Sequence, residues 1–157
     1  SPAAPETGQP SLQIAQAELL AWLGRNLEVS GGVQRASLLT AARAREVEEW
    51  IAAHLHEPIT LGRLCEVAGV GGRALQKTFM MRHGAPPMQF VTGRRLEAVR
   101  ARLHAPEPDL LVTRAAMEYG FTHMGRFSIL YRLRFGEAPS TTRRRALRSS
   151  PQYRPYL

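Results

Sequence analysis

The chain has 157 residues, of which 44% are hydrophobic and 22% charged, a composition that supports one globular core and argues against disorder throughout. It contains no apolar run of the ~20 residues that span a membrane and no secretory signal, so we expect a cytoplasmic protein without a membrane partner. Its single cysteine, Cys65, excludes an internal disulfide framework and a multi-cysteine zinc site.

The net charge of +8 is concentrated at the end of the chain. Residues 126–157 hold eight Lys and Arg residues against one acid, whereas the preceding residues hold thirteen against twelve. A basic segment of this kind predicts a polyanionic partner, more often nucleic acid than membrane. A solvated tail that only improves solubility is the alternative.

The first residues read as a linker followed by a helix. Three prolines lie within the first ten residues and the chain begins with Ser1, so we expect a fragment of a longer protein. Residues 11–29 carry leucines at helical spacing, and Gly31 and Gly32 end the pattern, which predicts one amphipathic helix.

A second helix is predicted from about residue 37 to residue 55, where Pro58 follows and stops it. Its apolar stripe consists of Val47, Trp50, Ile51 and Leu55. Thr60 is then placed to cap the next helix, because a threonine hydroxyl can accept a backbone N–H at a helix start.

The strongest pattern is an internal repeat. Residues 75–87 (LQKTFMMRHGAPP) and 127–139 (FSILYRLRFGEAP) share apolar, aromatic, glycine and proline positions at an offset of 52. Upstream, Leu61, Leu64, Cys65 and Gly69 align with Val112, Ala115, Ala116 and Gly120, with the second corner one residue longer. Each unit therefore predicts a short helix ending at a glycine, a turn, and a second helix of about eleven residues.

This outline is typical of a helix-turn-helix. A small residue four before the glycine, Cys65 or Ala116, lets two helices cross closely, and Val70 or Phe121 after the glycine is expected to enter the core. The predicted fold is all-α, with the two units joined by a linker helix over residues 87–104, whose Leu96 and Leu103 are expected to be buried. A helix of that length spans ~25 Å, so two units could reach major-groove segments ~34 Å apart.

Three sequence blocks together resemble the DNA-binding domain of the AraC/XylS family of bacterial transcription regulators over residues 46–145. They read PITLGRLCEVAGVGGRALQKTF, HGAPPMQFVTGRRLEAVRARL and VTRAAMEYGFTHMGRFSILYRLRFGEAPS. The resemblance implies a sequence-specific, double-stranded DNA-binding transcription regulator without enzymatic activity, whose second helices enter successive major grooves. It also implies promoter DNA and RNA polymerase as partners. A homodimer, formed through an upstream domain or residues 11–29, is left open.

The predicted organisation has three parts: a linker and amphipathic helix over residues 1–36, the DNA-binding domain over 37–147, and a basic tail over 148–157. Within the domain, the first helix-turn-helix covers about 60–84 and the second about 111–136. Two positions depart from the family pattern. Gly71 stands where a capping serine is common, and Ile129 stands where an arginine is common in the second recognition helix.

The candidate site residues fall into two groups. Base-reading candidates lie near the start of each second helix: Arg73, Gln76, Lys77, Met124, Arg126, Ser128 and Ile129. Arg and Lys can pair with guanine and Gln with adenine, while Ile129 could touch a thymine methyl or belong to the core. Phosphate candidates are Thr60, Thr122, His123, Arg132, Arg143, Arg144 and Arg145.

The arginines of the second recognition helix raise a separate expectation. Phe127, Tyr131 and Phe135 are predicted to anchor this helix after a corner over residues 119–124, which would leave Arg126, Arg132 and Arg134 for DNA. On the linker helix, the neighbouring Arg94 and Arg95 are weaker candidates, because each could pair with Glu97 or Glu57 instead.

Other chemistries receive less support from the sequence. GVGGRA, residues 69–74, fits a dinucleotide fingerprint that requires a preceding strand, whereas the preceding residues carry helical spacing. Cys65 could be a nucleophile, yet its repeat partner is Ala116, which favours a buried small residue. The histidines lack metal-ligand spacing, so neither a metal nor a cofactor is expected. A protein-interaction module built on residues 11–29 is the alternative function.

Overall fold

The computed structural model describes residues 38–149, and every regular element in that range is an α-helix. The helices are α1 (Ala41–Ala53), α2 (Leu61–Ala68), α3 (Gly72–His83), α4 (Pro87–Leu103), α5 (Val112–Glu118), α6 (Met124–Phe135) and α7 (Pro139–Ser149). The predicted all-α fold, with two helix-turn-helix units on a linker helix, is confirmed. The helix predicted over residues 11–29 and the tail beyond residue 149 lie outside the described residues.

The helix boundaries follow from local capping chemistry. Thr40 and Thr60 accept the backbone N–H of Arg43 and Arg63 at 3.2 and 3.1 Å, so the hydroxyls start α1 and α2. Gly69 ends α2 with φ at 67°, a left-handed conformation that glycine adopts without strain. Gly71 precedes α3 and supplies no side-chain cap, as its sequence predicts.

The buried residues form two hydrophobic cores. The first core is built from α1, α2, α3 and the start of α4, and the second from the end of α4 with α5 and α6. Leu96 and Leu103 of α4 are 3% and 0% exposed in the second core, which confirms their predicted burial. Tyr119 is partly buried against both cores, so the two are packed together at the corner after α5.

The structural repeat is longer than the two helix-turn-helix units. At the same offset of 52 residues, Val47 and Ile51 of α1 correspond to Val99 and Leu103 of α4, and all four are 0% exposed. Val91 near the start of α4 corresponds to Arg143 of α7, and both are buried. Each repeat is therefore a unit of four helical segments, and α4 is the last segment of one and the first of the next.

We call the two units modules. The first module is α1–α3 with the N-terminal half of α4, and the second module is the C-terminal half of α4 with α5–α7. Because one helix belongs to both, its 17 residues have to serve two cores, whereas α1 has 13 residues and α7 has 11. Within the described range, no helix combines the length and apolar character needed to cross a membrane.

Candidate nucleic-acid interface

Helix α3 presents a polar face to the solvent. Leu75, Thr78 and Phe79 are 0%, 4% and 0% exposed, so they anchor the helix in the first core. Arg73 and Lys77 are exposed and Gln76 is partly buried. Since residues three and four apart share one side of a helix, these three side chains form a single polar face.

Helix α6 is anchored in the same way but presents different chemistry. Phe127 and Tyr131 are 1% and 0% exposed, and Phe135 packs partly buried against the second core. The exposed residues of the helix include Arg126, Ser128, Ile129 and Arg132. Ile129 is 63% exposed, which decides between the two interpretations of this residue, because it does not belong to the core.

The start of α6 differs from the start of α3. His123 occupies the cap position without a side-chain cap bond, and both Thr122 and His123 are exposed. Met124 is partly buried and packs against the second core. A side chain held in this way is less able to reach a base edge, which makes Met124 the weakest of the base-reading candidates.

Two arginines expected to be free for DNA are instead held by carboxylates. Arg134 of α6 forms an ion pair with Glu97 of α4, so the expectation of a free Arg134 is wrong. Glu97 also accepts from Arg94 at 2.9 Å, as the sequence suggested. Arg145 is exposed but pairs with Glu137 at 2.6 Å, so a phosphate contact would compete with this pair.

Arg143 lies in the interior and not on the DNA-facing surface expected for it. The residue is 5% exposed, and its Nη1 donates to the carbonyls of Leu103 at 2.9 Å and Ala105 at 2.7 Å. Its Nη2 donates to the carbonyl of Glu107. Arg143 therefore satisfies carbonyls at and after the end of α4, and this corrects its assignment as a phosphate contact.

The repeat contains the signal that would have identified Arg143. Its counterpart 52 residues earlier is Val91, a core residue at 1% exposure. An arginine in a core position must satisfy its donors inside the protein. The helix-turn-helix units end before α7, so only an extension of the repeat into α7 distinguishes Arg143 from its exposed neighbours Arg144 and Arg145.

Three arginines of α6 and α7 remain available for phosphate contacts. Arg126, Arg132 and Arg144 are exposed, and none of them forms an ion pair with another residue in the range 38–149. Thr60 is exposed too, and its hydroxyl oxygen accepts from Arg63, which leaves the hydroxyl proton to donate. Neither α3 nor α6 contains an acidic residue, so nothing within these helices repels a phosphate.

Several acids elsewhere are neutralised by arginine. The hydrogen bonds that Arg102 donates to Glu107 and Glu118 raise the pKa of Arg102 above its ordinary value. Hydrogen bonding from Arg102 in turn lowers the pKa of Glu107. Burial raises the pKa of Glu48, but the hydrogen bonds from Arg82 and His83 outweigh it, so the net pKa is lowered. Glu48 and Glu107 therefore remain ionised at neutral pH and cancel positive charge locally.

The competing chemistries have weak structural support. The segment GVGGRA follows helix α2 and not a strand, so the dinucleotide fingerprint lacks the element that it requires. Cys65 is partly buried against the first core, in the place expected of a small packing residue. Within the described range, no cluster of three or more His, Cys, Asp or Glu residues could hold a metal ion.

Residues 64–145 match a family model described as a helix-turn-helix domain. The chain is also similar to the XylDLEGF operon transcriptional activator 3 of Pseudomonas putida, with 42% identity over 100 residues. That match covers 63% of this chain but only 30% of the activator. The chain therefore spans about a third of the length of such relatives.

Two solved structures are similar over most of the described range. One is a probable AraC family transcriptional regulator from Rhodopseudomonas palustris CGA009, with 37% identity and a TM-score of 0.63, covering 68% of this chain and 98% of that one. The other is the DNA-binding domain of AdpA, solved in complex with a target DNA. It has 24% identity and a TM-score of 0.62, and covers 70% of this chain and 97% of that one. At that identity the AdpA likeness concerns the fold.

Proposed function

This chain belongs to the AraC/XylS family of transcription regulators, and on that premise we propose that residues 38–149 bind promoter DNA with both recognition helices, α3 and α6. Each helix enters one of two successive major grooves. The observation that carries the proposal is the pair of matching modules, each with a recognition helix anchored by buried aromatic residues. The exposed side chains of each helix point away from its core and include no acidic residue.

The first recognition helix supplies the direct base readout. Arg73 and Lys77 suit the guanine O6 and N7 acceptors, and Gln76 suits the N7 acceptor and N6 donor of adenine. These three lie on one polar face of α3, so they can address neighbouring base pairs together. Sequence discrimination is therefore concentrated in the first module.

The second recognition helix contributes mainly an apolar contact to a base and contacts to phosphates. Ile129 offers an apolar surface that suits the C5-methyl group of thymine, next to the hydroxyl of Ser128. Arg126 could contact a base edge, whereas Arg132 and Arg144 suit phosphates. Thr60, Thr122 and His123 are exposed near helix starts and can add phosphate hydrogen bonds.

The proposed partners follow from the family. We propose that the protein acts in the cytoplasm on promoter DNA, together with RNA polymerase, and without enzymatic activity. Its self-association would use an upstream domain or residues 11–29. In the competing function, residues 11–29 bind a partner protein and the basic residues only improve solubility.

The salt dependence of binding to DNA tests the proposal. Duplexes would be selected from random DNA, and the binding constant measured on selected and scrambled duplexes across a salt series. We expect log K to fall linearly with log salt, by ~0.9 per phosphate contact, with tighter binding to the selected duplex at every salt concentration. Equal affinity for both duplexes, or binding that does not weaken with salt, would contradict DNA recognition and favour the protein-interaction function.

A further inference from the structure

The two modules are connected by side-chain contacts as well as by the continuous helix α4. Arg95, midway along α4, donates from Nε to the carbonyl of Leu55 at 3.1 Å and from Nη2 to that of Glu57 at 2.5 Å. Both carbonyls lie in the segment between α1 and α2, so the guanidinium is hydrogen-bonded to the first module. Burial lowers the pKa of Arg95, but an arginine stays charged at neutral pH.

The same guanidinium lies against the corner of the second module. A Cβ atom added to Gly120 would be 3.1 Å from Nη1 and 3.3 Å from Cζ of Arg95, so a side chain there would press against the guanidinium and displace it slightly. Gly120 has φ at 80°, which also favours glycine. Arg95 therefore packs between the α1–α2 segment on one side and the α5–α6 corner on the other.

A second contact joins the modules beside the first. His56 Nδ1 lies 2.9 Å from the carbonyl oxygen of Glu118 and donates to it. The imidazole ring also stacks at a tilt on Tyr119, with 4.3 Å between the ring centroids. His56 belongs to the first module, and Glu118 and Tyr119 belong to the second.

The repeat indicates that this connection is not a by-product of the module fold. Arg43 occupies the position in the first module that Arg95 occupies in the second. Arg43 stays within its own module, where it donates to the carbonyl of Ala68 at 3.3 Å and pairs with Glu46. The two arginines share a repeat position, but Arg95 reaches across to the other module.

Contacts away from the axis of α4 restrict twisting and bending between the modules, which a single shared helix does not prevent. Two modules that shared only α4 could twist about it or bend it, and successive base pairs in DNA differ by ~3.4 Å in position along the axis. We propose that Arg95 and His56 are positioning residues that fix the spacing of the two recognition helices. The chain thereby rejects DNA whose two half-sites are displaced by one base pair. This inference rests on the proposed function.

The experiment compares the protein with the variants Arg95→Met and His56→Ala on three duplexes. One is the selected duplex, with its half-sites located by base substitution, and the others have one base pair inserted or removed between them. Arg94→Met is the matched control, because it removes the same charge from the preceding residue of α4, whose ion pair with Glu97 lies within that helix. Thermal unfolding establishes that each variant is folded.

For the unsubstituted chain and for Arg94→Met, we expect displacement to weaken binding on the order of 100-fold, since several base contacts are lost together. In Arg95→Met and His56→Ala the penalty should fall to roughly tenfold, because a looser pair of modules can follow the displaced site. If Arg95→Met does not fold, His56→Ala provides the test, because His56 is exposed.

Two results would overturn the inference while leaving DNA binding intact. One is a displacement penalty that stays the same in the folded variants, with affinity lowered alike on all three duplexes. The other is an unsubstituted chain that binds all three duplexes equally. Failure of the unsubstituted chain to prefer any selected duplex over a scrambled one would instead refute the proposed function itself, and the inference with it.

Discussion

The two modules place side chains at the same positions but stabilise them by different interactions. In the first module, Phe79 and Phe90 meet edge to face, with 5.3 Å between their ring centroids. At the same repeat positions in the second, Tyr131 donates to the Thr142 hydroxyl at 2.9 Å. The hydroxyl of Thr142 donates in turn to Glu137 at 2.8 Å. A repeated backbone can therefore have an apolar contact in one copy and a chain of hydrogen bonds in the other.

The exchange of Val91 for Arg143 follows the same rule. Both residues are buried, but the arginine is accommodated because carbonyls at and after the end of α4 accept hydrogen bonds from its Nη1 and Nη2. An arginine count therefore overstates the number of cations that a basic segment offers to DNA. In the second module, Arg134 and Arg143 are both used to hold the protein together.

The largest effect is expected from core truncations at matched positions. Leu103→Ala and Ile51→Ala should each lower the free energy of unfolding by ~2–5 kcal/mol, through lost burial and a residual cavity. Because α4 and Tyr119 contribute to both cores, each variant should still unfold in one transition. Denaturant unfolding monitored by circular dichroism measures both quantities.

The exposed Leu111→Ala is the control for these truncations. Leu111 is 65% exposed, so its loss should change stability by less than ~0.5 kcal/mol. Two separate unfolding transitions in either core variant would show that the modules are independent, and an unchanged stability in Leu103→Ala would contradict its place in the core.

Two neighbouring arginines of α7 should respond in opposite ways. Arg143→Met should lower stability by ~1–3 kcal/mol or more, because it leaves buried carbonyls without donors. Arg144→Met should leave stability nearly unchanged and reduce the salt slope of DNA binding by up to ~0.9, as expected for one lost phosphate contact. Unfolding curves and a salt series on the same two proteins provide the comparison. If Arg143→Met kept its stability and reduced the salt slope of DNA binding, Arg143 would be a phosphate contact and its buried role would be contradicted.

The third prediction concerns the different roles proposed for the two recognition helices, base readout by α3 and mainly other contacts by α6. Arg73→Ala and Gln76→Ala should each cost ~1–3 kcal/mol of binding on the preferred duplex and relax specificity there. Ser128→Ala, at the position in α6 that matches Gln76, should cost about 1 kcal/mol or less, the net value of one neutral hydrogen bond. Affinities for single-base variants of the duplex measure this. Greater loss of specificity in Ser128→Ala than in Gln76→Ala would reverse the assignment of the modules.

The smallest effect concerns the acid stability of the first module. The folded pKa of Glu48 lies below its ordinary value of 4.5, so the unfolded state binds more protons as pH falls past that value. The contribution of Glu48 is therefore present above about pH 4.5 and is lost as pH falls through the folded pKa. Glu48→Gln should remove ~0.2–1 kcal/mol at pH 7 and flatten the pH dependence below 4.5. A pH dependence that is unchanged in Glu48→Gln would place the acid sensitivity elsewhere.

The sequence by itself determined the two modules and much of the recognition surface. Helical spacing, the glycines at 69 and 120 and the offset of 52 residues predicted where each helix-turn-helix lies. These features act over a few residues, so local rules of capping, turns and periodicity suffice to find them. The same spacing identified the polar face of α3 and the buried Leu96 and Leu103.

Only the tertiary structure decided how individual arginines are used. Arg134, Arg143 and Arg144 have the same side chain but different roles. Arg134 pairs with Glu97 of α4, Arg143 is buried, and Arg144 is exposed. The partners of Arg134 and Arg143 lie 36 to 40 residues away in the chain, beyond the reach of any local pattern. A guanidinium group can satisfy carbonyls, carboxylates or phosphates with the same donors, so its role depends on which acceptor the folded chain brings near it.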